Sequence, residues 1–294
     1  MQSTTSKPVT GTALLPRLAI LTPSMRITSL LLMLVAAFAS ASAQPLVYVV
    51  TLSQQFGTVN LATGAFHPIG TPMPEGQANL VWGPDGSLLS ISVSGNLVRI
   101  NPTTGETTVI GQTGLGFNAF DLAEVRGKLY LTDFSNNLYS VDAETGAATE
   151  IRPTGMPPDP TIPFTYNGDG TLNLCDETLY GMGGRLYATF DSFKVDPVSL
   201  ALTPAVNPDL YQIDPATGVA TLVGPTDLQL GASVEVNGKF YAFRLVITGF
   251  VDGFPQAYSQ LVTVDPATGK TTLVRNIDPA AGPIFGAAPI RRRR

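Results

Sequence analysis

The sequence predicts an all-β protein built from short, repeated hairpins. Glycine and proline account for 29 and 24 of the 294 residues, more than helix interiors tolerate, so a helical bundle is excluded. Hydrophobic residues make up 44% of the chain, which excludes a disordered protein. The third observation is an internal repeat of strand-turn-strand segments. A single cysteine, Cys175, excludes a disulfide framework and is expected to be buried as a small apolar side chain.

The N-terminal segment predicts export. Residues 1–43 carry three basic side chains and no acidic one, and residues 30–39 form an unbroken apolar run. The small residues Ala41-Ser42-Ala43 complete the pattern of a cleaved secretory leader. We therefore expect a leader over residues 1–43, a single domain over residues 44–290 and a basic tail over residues 291–294. The mature protein would be secreted, either extracellular or periplasmic.

Charge and hydropathy restrict the partners. Once residues 1–43 are removed, 14 basic side chains stand against 22 acidic ones, so the body of the protein is acidic. Nucleic-acid affinity comes chiefly from clustered Lys and Arg, so no nucleic-acid partner is predicted. The tail Arg291–Arg294 is the exception, and we expect a solvated end rather than a tether to an acidic surface. No segment is long and apolar enough to span a bilayer.

Five segments share one strand-turn-strand motif. They are GTVNLATG (57–64), LVRINPTTG (97–105), LYSVDAETG (138–146), LYQIDPATG (210–218) and LVTVDPATG (261–269). Apolar and polar residues alternate before the turn, as in a half-buried strand. Asp or Asn, commonly with Pro, starts the turn, and the closing Gly accepts the left-handed conformation. The closing glycines are 41, 41, 72 and 51 residues apart, and a propeller blade takes about 40 to 50 residues.

A second recurring hairpin precedes the motif and supplies two further strands. It reads GSLL from Gly86, GKLY from Gly127, GRLY from Gly184 and GKFY from Gly238. With strands named A to D from the centre outward, blades two to five are predicted over residues 78–112, 117–154, 171–226 and 228–278. Blade one lacks its strand A, which residues 284–290 can supply. The prediction is a five-bladed β-propeller of four-stranded antiparallel blades, closed by the C-terminal strand joining the N-terminal blade.

These hairpins resemble those of secreted β-propellers built from Leu-Tyr-x-Ile-Asp-Pro-x-Thr-Gly repeats, similar to YVTN or NHL-type repeats. The resemblance covers most of the chain. It implies the fold but no particular activity, because the matching residues belong to turns and strands and propellers host unrelated functions. No blade ends in a Trp-Asp pair, so the WD40 family is unsupported.

Three insertions indicate where a ligand could bind. In a propeller, the B–C and D–A connections lie on one face, which we call the upper face. Residues 153–170, 191–208 and 245–257 are predicted to be long loops there, around blades four and five. Exposed aromatic side chains in such loops are natural anchors for a glycan, a peptide or a cell-surface protein. The candidates are Phe164, Tyr166, Phe250, Phe254 and Tyr258.

Polar side chains at the starts of the A strands are predicted to line the channel mouth. They are Asn79, Asn118, Asp121, Asp176, Glu177 and Gln229. Asp121, Asp176 and Glu177 could together bind a hard cation such as Ca²⁺, which prefers carboxylate and carbonyl oxygens. The alternative, which we favour, is that these groups only accept hydrogen bonds from backbone amides and channel waters.

Binding is favoured over catalysis. The one histidine, His67, lies in the predicted outer strand of blade one, which disfavours Ser-His-Asp, Cys-His and histidine-metal chemistry. The leading hypothesis is a monomeric, non-catalytic propeller with a ligand-binding face built from blades four and five. The alternative is a glycosidase-like or lactonase-like hydrolase using Asp121, Asp176 and Glu177 as paired carboxylates. A purely structural extracellular module is the third hypothesis.

Overall fold

A computed structural model describes residues 45–157, 165–227 and 229–291, with the backbone alone at residues 120 and 175–177. These ranges contain 20 strands and two short 3-10 helices, Gly116–Asn118 and Pro279–Ala281. Within the same ranges, no helix has the length and apolarity needed to cross a membrane. The all-β prediction is confirmed.

The strands form five four-stranded antiparallel sheets, which are the five blades. Blade one contains β1 (Leu46–Thr51), β2 (Phe56–Asn60) and β3 (Phe66–Pro68). Blade two contains β4 (Gln77–Trp82), β5 (Leu88–Ser92), β6 (Asn96–Ile100) and β7 (Thr107–Gln112). Blade three contains β8 (Ala119–Val125), β9 (Lys128–Asp133), β10 (Asn137–Val141) and β11 (Ala148–Pro153). Blade four contains β12 (Leu172–Met182), β13 (Arg185–Val195), β14 (Leu202–Ile213) and β15 (Ala220–Pro225). Blade five contains β16 (Leu230–Val236), β17 (Lys239–Val251), β18 (Phe254–Val264) and β19 (Thr271–Asn276).

The ring closes through the two ends of the domain, as predicted. The last strand, β20 (Ile284–Pro289), pairs antiparallel with β1 and becomes the innermost strand of blade one. The register places Val47 opposite Pro289 and Val50 opposite Gly286. The predicted limits of blades two to five lie within two residues of the observed strands. The five-bladed propeller is confirmed.

Apolar packing between blades holds the ring together. Five clusters of buried side chains each lie between two neighbouring blades, including the closing pair of blades five and one. Tyr130 packs between blades three and four, and Tyr187 between blades four and five. Each blade therefore contributes both faces of its sheet to a core, because burying both faces removes the most apolar surface from water.

The C–D turns explain why the motif repeats. In the fourth copy, the Asp214 carboxylate accepts the amide of Ala216 at 2.9 Å, and Gly218 closes the turn with a φ of 75°. In blade one, Asn60 accepts the amide of Ala62 at 2.8 Å in the same way. Asp and Asn are therefore equivalent at this position, since both present a side-chain oxygen to the amides of the turn.

The B–C insertions of blades four and five are strands, so the predicted loops without structure of their own are wrong here. β13 and β14 continue pairing to Val195 and Leu202, and β17 and β18 to Val251 and Phe254. We call the two resulting hairpin extensions ribbon four (residues 191–208) and ribbon five (residues 245–257). The ribbons pack on each other through an apolar cluster that includes Phe193.

Candidate ligand-binding cavity

A cavity of about 260 Å³ opens at the upper face, where residues from all five blades meet. We call it the upper cavity. Most of the side chains that line it are apolar. They are Leu52, Ala78, Val93, Phe117, Ala119, Phe134, Leu174, Phe193, Leu245, Pro255, Ala257, Pro283 and Phe285. An apolar concavity with a few polar groups is the usual form of a small-molecule site.

One wall of the cavity comes from the ribbons. Phe193 lies in ribbon four, and Leu245, Pro255 and Ala257 lie in ribbon five. Phe193 is buried in the cluster that joins the two ribbons, so this wall is held in place by its own packing. The insertions thus build a structured side of the cavity.

The opposite wall comes from the B–C turns of blades one to three, which share one conformation. Each turn follows a B strand that ends in a polar residue, and the next residue is apolar: Leu52, Val93 or Phe134. The last residue of the strand also accepts the amide four positions later with its side chain, as Asp133 does from Asn137 at 2.9 Å. The fixed turn directs three apolar side chains toward one cavity.

Three apolar side chains that line the cavity are exposed: Leu52 and Val93 of these turns, and Phe117 of the first 3-10 helix. Leu52 is 59% exposed, Val93 49% and Phe117 67%, and the ring of Phe117 lies 5.7 Å from that of Phe134. Single exposed apolar residues are ordinary, but a group of them around one cavity marks an interaction surface. This group is not among the residues that the sequence patterns predicted for the site. For Leu52, Val93 and Phe134, the signal was available as an apolar residue after each of the first three B strands.

Two polar side chains on innermost strands also line the upper cavity. Gln77 begins β4 and is 4% exposed. Asp121 lies in β8 and is also buried. Its two carboxylate oxygens accept the amides of Leu122 at 2.7 Å and Leu179 at 2.5 Å. Asp121 thus connects blade three to blade four.

Asn79 completes a clamp across the channel. Its Nδ2 donates to the carbonyls of Leu122 at 2.7 Å and Leu179 at 2.9 Å, and its Oδ1 accepts the amide of Leu80 at 2.8 Å. Leu179 therefore donates its N–H to blade three and receives a bond on its C=O from blade two. The innermost strand of a blade has an edge that no further strand covers, and these side chains satisfy its backbone groups.

Below the clamp lies a second, more polar chamber of about 140 Å³. Asn79 lines this chamber and is absent from the lining of the upper cavity. Arg291 also lines it and sits 5.1 Å from the ring centre of Trp82, whose indole donates to the carbonyl of Pro289 at 2.7 Å. The first arginine of the tail is thus in contact with the lower face of the propeller.

The other predicted mouth residues fall in different places. Asn118 ends the first 3-10 helix and is exposed, outside the lining of the upper cavity. Gln229 is buried beside a cleft next to ribbon five, and its backbone amide donates to Asp191 at 2.9 Å. The backbones of Asp176 and Glu177 lie in β12, opposite Asp191 and Phe190, and their side chains are outside the described part.

The predicted aromatic anchors also lie in different places. Tyr166 is half exposed, and its hydroxyl donates to the carbonyl of Gly253 at 2.6 Å, which ties the D–A connection to ribbon five. Phe250 packs in the cluster between the ribbons. Phe254 is 72% exposed at the end of ribbon five, and Tyr258 is half-buried; neither lines the upper cavity. Phe164 lies outside the described residues.

The predicted calcium site stays a prediction. Among the side chains that the structure describes, no three His, Cys, Asp or Glu residues converge as a metal-binding group would. Two of the three predicted ligands, Asp176 and Glu177, are not among those side chains. Asp121, the third, accepts two backbone amides in the manner that the alternative hypothesis describes.

Comparisons with known proteins assign no family and no activity to the chain. No protein-family model and no curated protein matches the chain. Similar solved structures include a structural genomics protein of unknown function from Bacteroides thetaiotaomicron VPI-5482, at 14% identity and a TM-score of 0.45 over 79% of this chain and 58% of that one. The dihydro-heme d1 dehydrogenase NirN matches at 12% identity and a TM-score of 0.32, over 81% and 66% of the two chains. A glutaminyl cyclase from Myxococcus xanthus matches at 16% identity and a TM-score of 0.32, over 72% of this chain and 69% of that one. This chain spans less than two thirds of the length of the first two proteins, and such low scores transfer no activity to it.

Proposed function

We propose that this protein is a secreted, non-catalytic β-propeller that binds an apolar group in the upper cavity. The group is either an apolar side chain of a peptide or a small apolar molecule. The observation that carries this proposal is the set of exposed apolar side chains, Leu52, Val93 and Phe117, gathered around one concave opening. Each of these side chains is about half exposed, so covering one with a ligand stabilises the complex by about 1 kcal/mol, half the value for complete burial.

The composition of the wall favours an apolar ligand over a glycan or a hydrated cation. A sugar needs many hydrogen-bonding groups, and most residues that line the cavity have none in their side chains. A hydrated cation needs several oxygen ligands. The cavity wall joins both ribbons to three B–C turns, so the proposed face extends beyond blades four and five.

The bonding of Asp121 supports a binding role over hydrolysis. Its carboxylate joins two innermost strands through backbone amides, which is a structural function. A general acid or base has to exchange a proton with substrate, and losing these amide bonds would disturb the clamp. Secretion rests on the leader over residues 1–43, and cleavage after Ala43 can be checked by N-terminal sequencing of exported protein.

Binding can be measured with the neutral apolar dye N-phenyl-1-naphthylamine, whose fluorescence rises in an apolar site. We expect saturable binding and at least a tenfold loss of affinity in Phe117→Ser. Phe254→Ser is the matched control, because Phe254 is similarly exposed but lies outside the lining of the cavity. Its affinity should stay within twofold of the parent value. Absence of saturable binding, or a loss confined to Phe254→Ser, would overturn the proposal.

A further inference from the structure

Gln77, one of the residues that line the upper cavity, has a buried hydrogen-bond acceptor without a partner in the structure. The side chain of Gln77 is 4% exposed, and its Oε1 atom receives no hydrogen bond. The amide is oriented by its Nε2, which donates to the carbonyl of Glu75 at 3.2 Å. The oxygen is therefore the unsatisfied atom. Buried polar atoms in folded proteins normally have a partner, so this oxygen points to a donor supplied by water or by a ligand.

The described part of the same cavity wall includes one acidic side chain, that of Asp121. Asp121 accepts two backbone amides, which is the hydrogen bonding of an ionised carboxylate. None of the described residues that line the cavity is Lys, Arg or His. The whole chain has a formal net charge of −5, so its long-range field also attracts cations.

The geometry points to a ligand with an apolar body and a protonated primary or secondary amine. This inference rests on the proposed function and adds the ligand class. The apolar body would contact the exposed side chains of Leu52, Val93 and Phe117 at the mouth of the cavity. The ammonium group would donate to Gln77 Oε1 and lie in the negative field of Asp121. Both of these residues are on innermost strands. A charged donor pairs well with such acceptors, because bonds to ionised groups are stronger than neutral ones.

A matched pair of compounds tests the inference. 4-Phenylbutylamine and 4-phenylbutanol share one apolar body, and only the first carries a charge at pH 7. We expect the amine to displace N-phenyl-1-naphthylamine at a concentration at least tenfold lower than the alcohol. This preference should fall as ionic strength rises, because salt screens the attraction.

Two variants test whether Gln77 and Asp121 cause the preference for the amine. Gln77→Met keeps the length of the side chain and removes the acceptor, so it should reduce amine affinity about fivefold or more. It should reduce alcohol affinity by a smaller factor, because a hydroxyl also donates a hydrogen bond but carries no charge. Asp121→Asn removes the charge and should act in the same direction. If Asp121→Asn does not fold, Gln77→Met and the salt dependence decide the matter.

The outcomes separate this inference from the proposed function. If the dye and the alcohol bind but the amine has no advantage, the amine inference is wrong and the apolar site stands. If an amine preference survives both variants, the amine binds elsewhere and the inference is wrong. If neither compound nor dye binds in a way that Phe117→Ser weakens, both proposals fail together.

Discussion

Replacing Asn79 by alanine should strongly destabilise the propeller. Asn79 is 3% exposed and makes three hydrogen bonds, two to blades three and four and one to its own strand. Alanine leaves the carbonyls of Leu122 and Leu179 and the amide of Leu80 without these partners. A net loss of about 1 kcal/mol for each bond gives about 3 kcal/mol.

The backbone adds a second contribution. Asn79 has a φ of 55°, in the left-handed region that asparagine adopts more readily than alanine. Alanine there costs about a further 1 kcal/mol, so the free energy of unfolding should fall by about 4 kcal/mol. For a domain of this size that corresponds to a decrease in Tm on the order of 10 °C.

The assay is urea unfolding followed by the fluorescence of Trp82, the one tryptophan of the chain. Asn79→Gly is the control, because glycine removes the same bonds without the left-handed cost and should recover about 1 kcal/mol. Asn79→Asp should be no more stable than the alanine variant, since an oxygen would then face two carbonyls. If Asn79→Ala lowered the free energy of unfolding by less than about 1 kcal/mol, the stabilising role of the Asn79 bonds would be refuted.

Two further predictions concern the turns. Backbone amides lower the pKa of four turn carboxyls below the ordinary value of 3.8; they belong to Asp142, Asp196, Asp214 and Asp265. Their contribution to the free energy of unfolding is present above pH 3.8 and is lost as the pH falls through the lower pKa values of the folded state. Asn already occupies this position in blades one and two, at Asn60 and Asn101. Replacing all four Asp residues by Asn should therefore reduce the loss of stability between pH 4 and pH 2. Urea midpoints across that range measure it, and an unchanged acid dependence would contradict it. Separately, Leu200 occupies the closing-glycine position at the tip of ribbon four with a φ of 59°. Leu200→Asn should therefore raise the free energy of unfolding by up to about 1 kcal/mol, whereas Gly218→Ala at the equivalent turn should lower it by about 1 kcal/mol. If both variants were more stable than the parent protein, or both less stable, the left-handed backbone would not explain the effects.

Much of the fold could be predicted because the sequence repeats its turn chemistry. The motif around Gly218 needs a side-chain oxygen at its start and a left-handed residue at its end, and both requirements are visible in the residue types. The closing strand could be predicted by counting, since blade one lacked one strand and residues 284–290 had no other place. Local chemistry and strand number together were enough for the topology.

The candidate site was harder to predict because its residues come from different kinds of position. Gln77 and Asp121 belong to innermost strands of different blades, and nothing local indicates that both line one cavity. Asn79 was expected at the mouth, yet its side chain bonds carbonyls 43 and 100 residues away in sequence. Such contacts depend on how blades are arranged around the channel.

The ribbons show how an insertion in this fold produces a site. Residues 194–203 resemble the C–D motif, and the turn that Asp196 starts has the same bonds as the C–D turns, with Leu200 donating its amide to the carbonyl of Asp196 at 2.8 Å. A turn of this kind keeps its two strands paired, so the added residues lengthen a hairpin instead of forming an irregular loop. Because a longer hairpin continues the alternation of its strands, Phe193 remains on a packed face and still borders the cavity. The upper cavity therefore follows from the same strand-turn-strand rule that builds the blades, applied to two hairpins that extend beyond the ring.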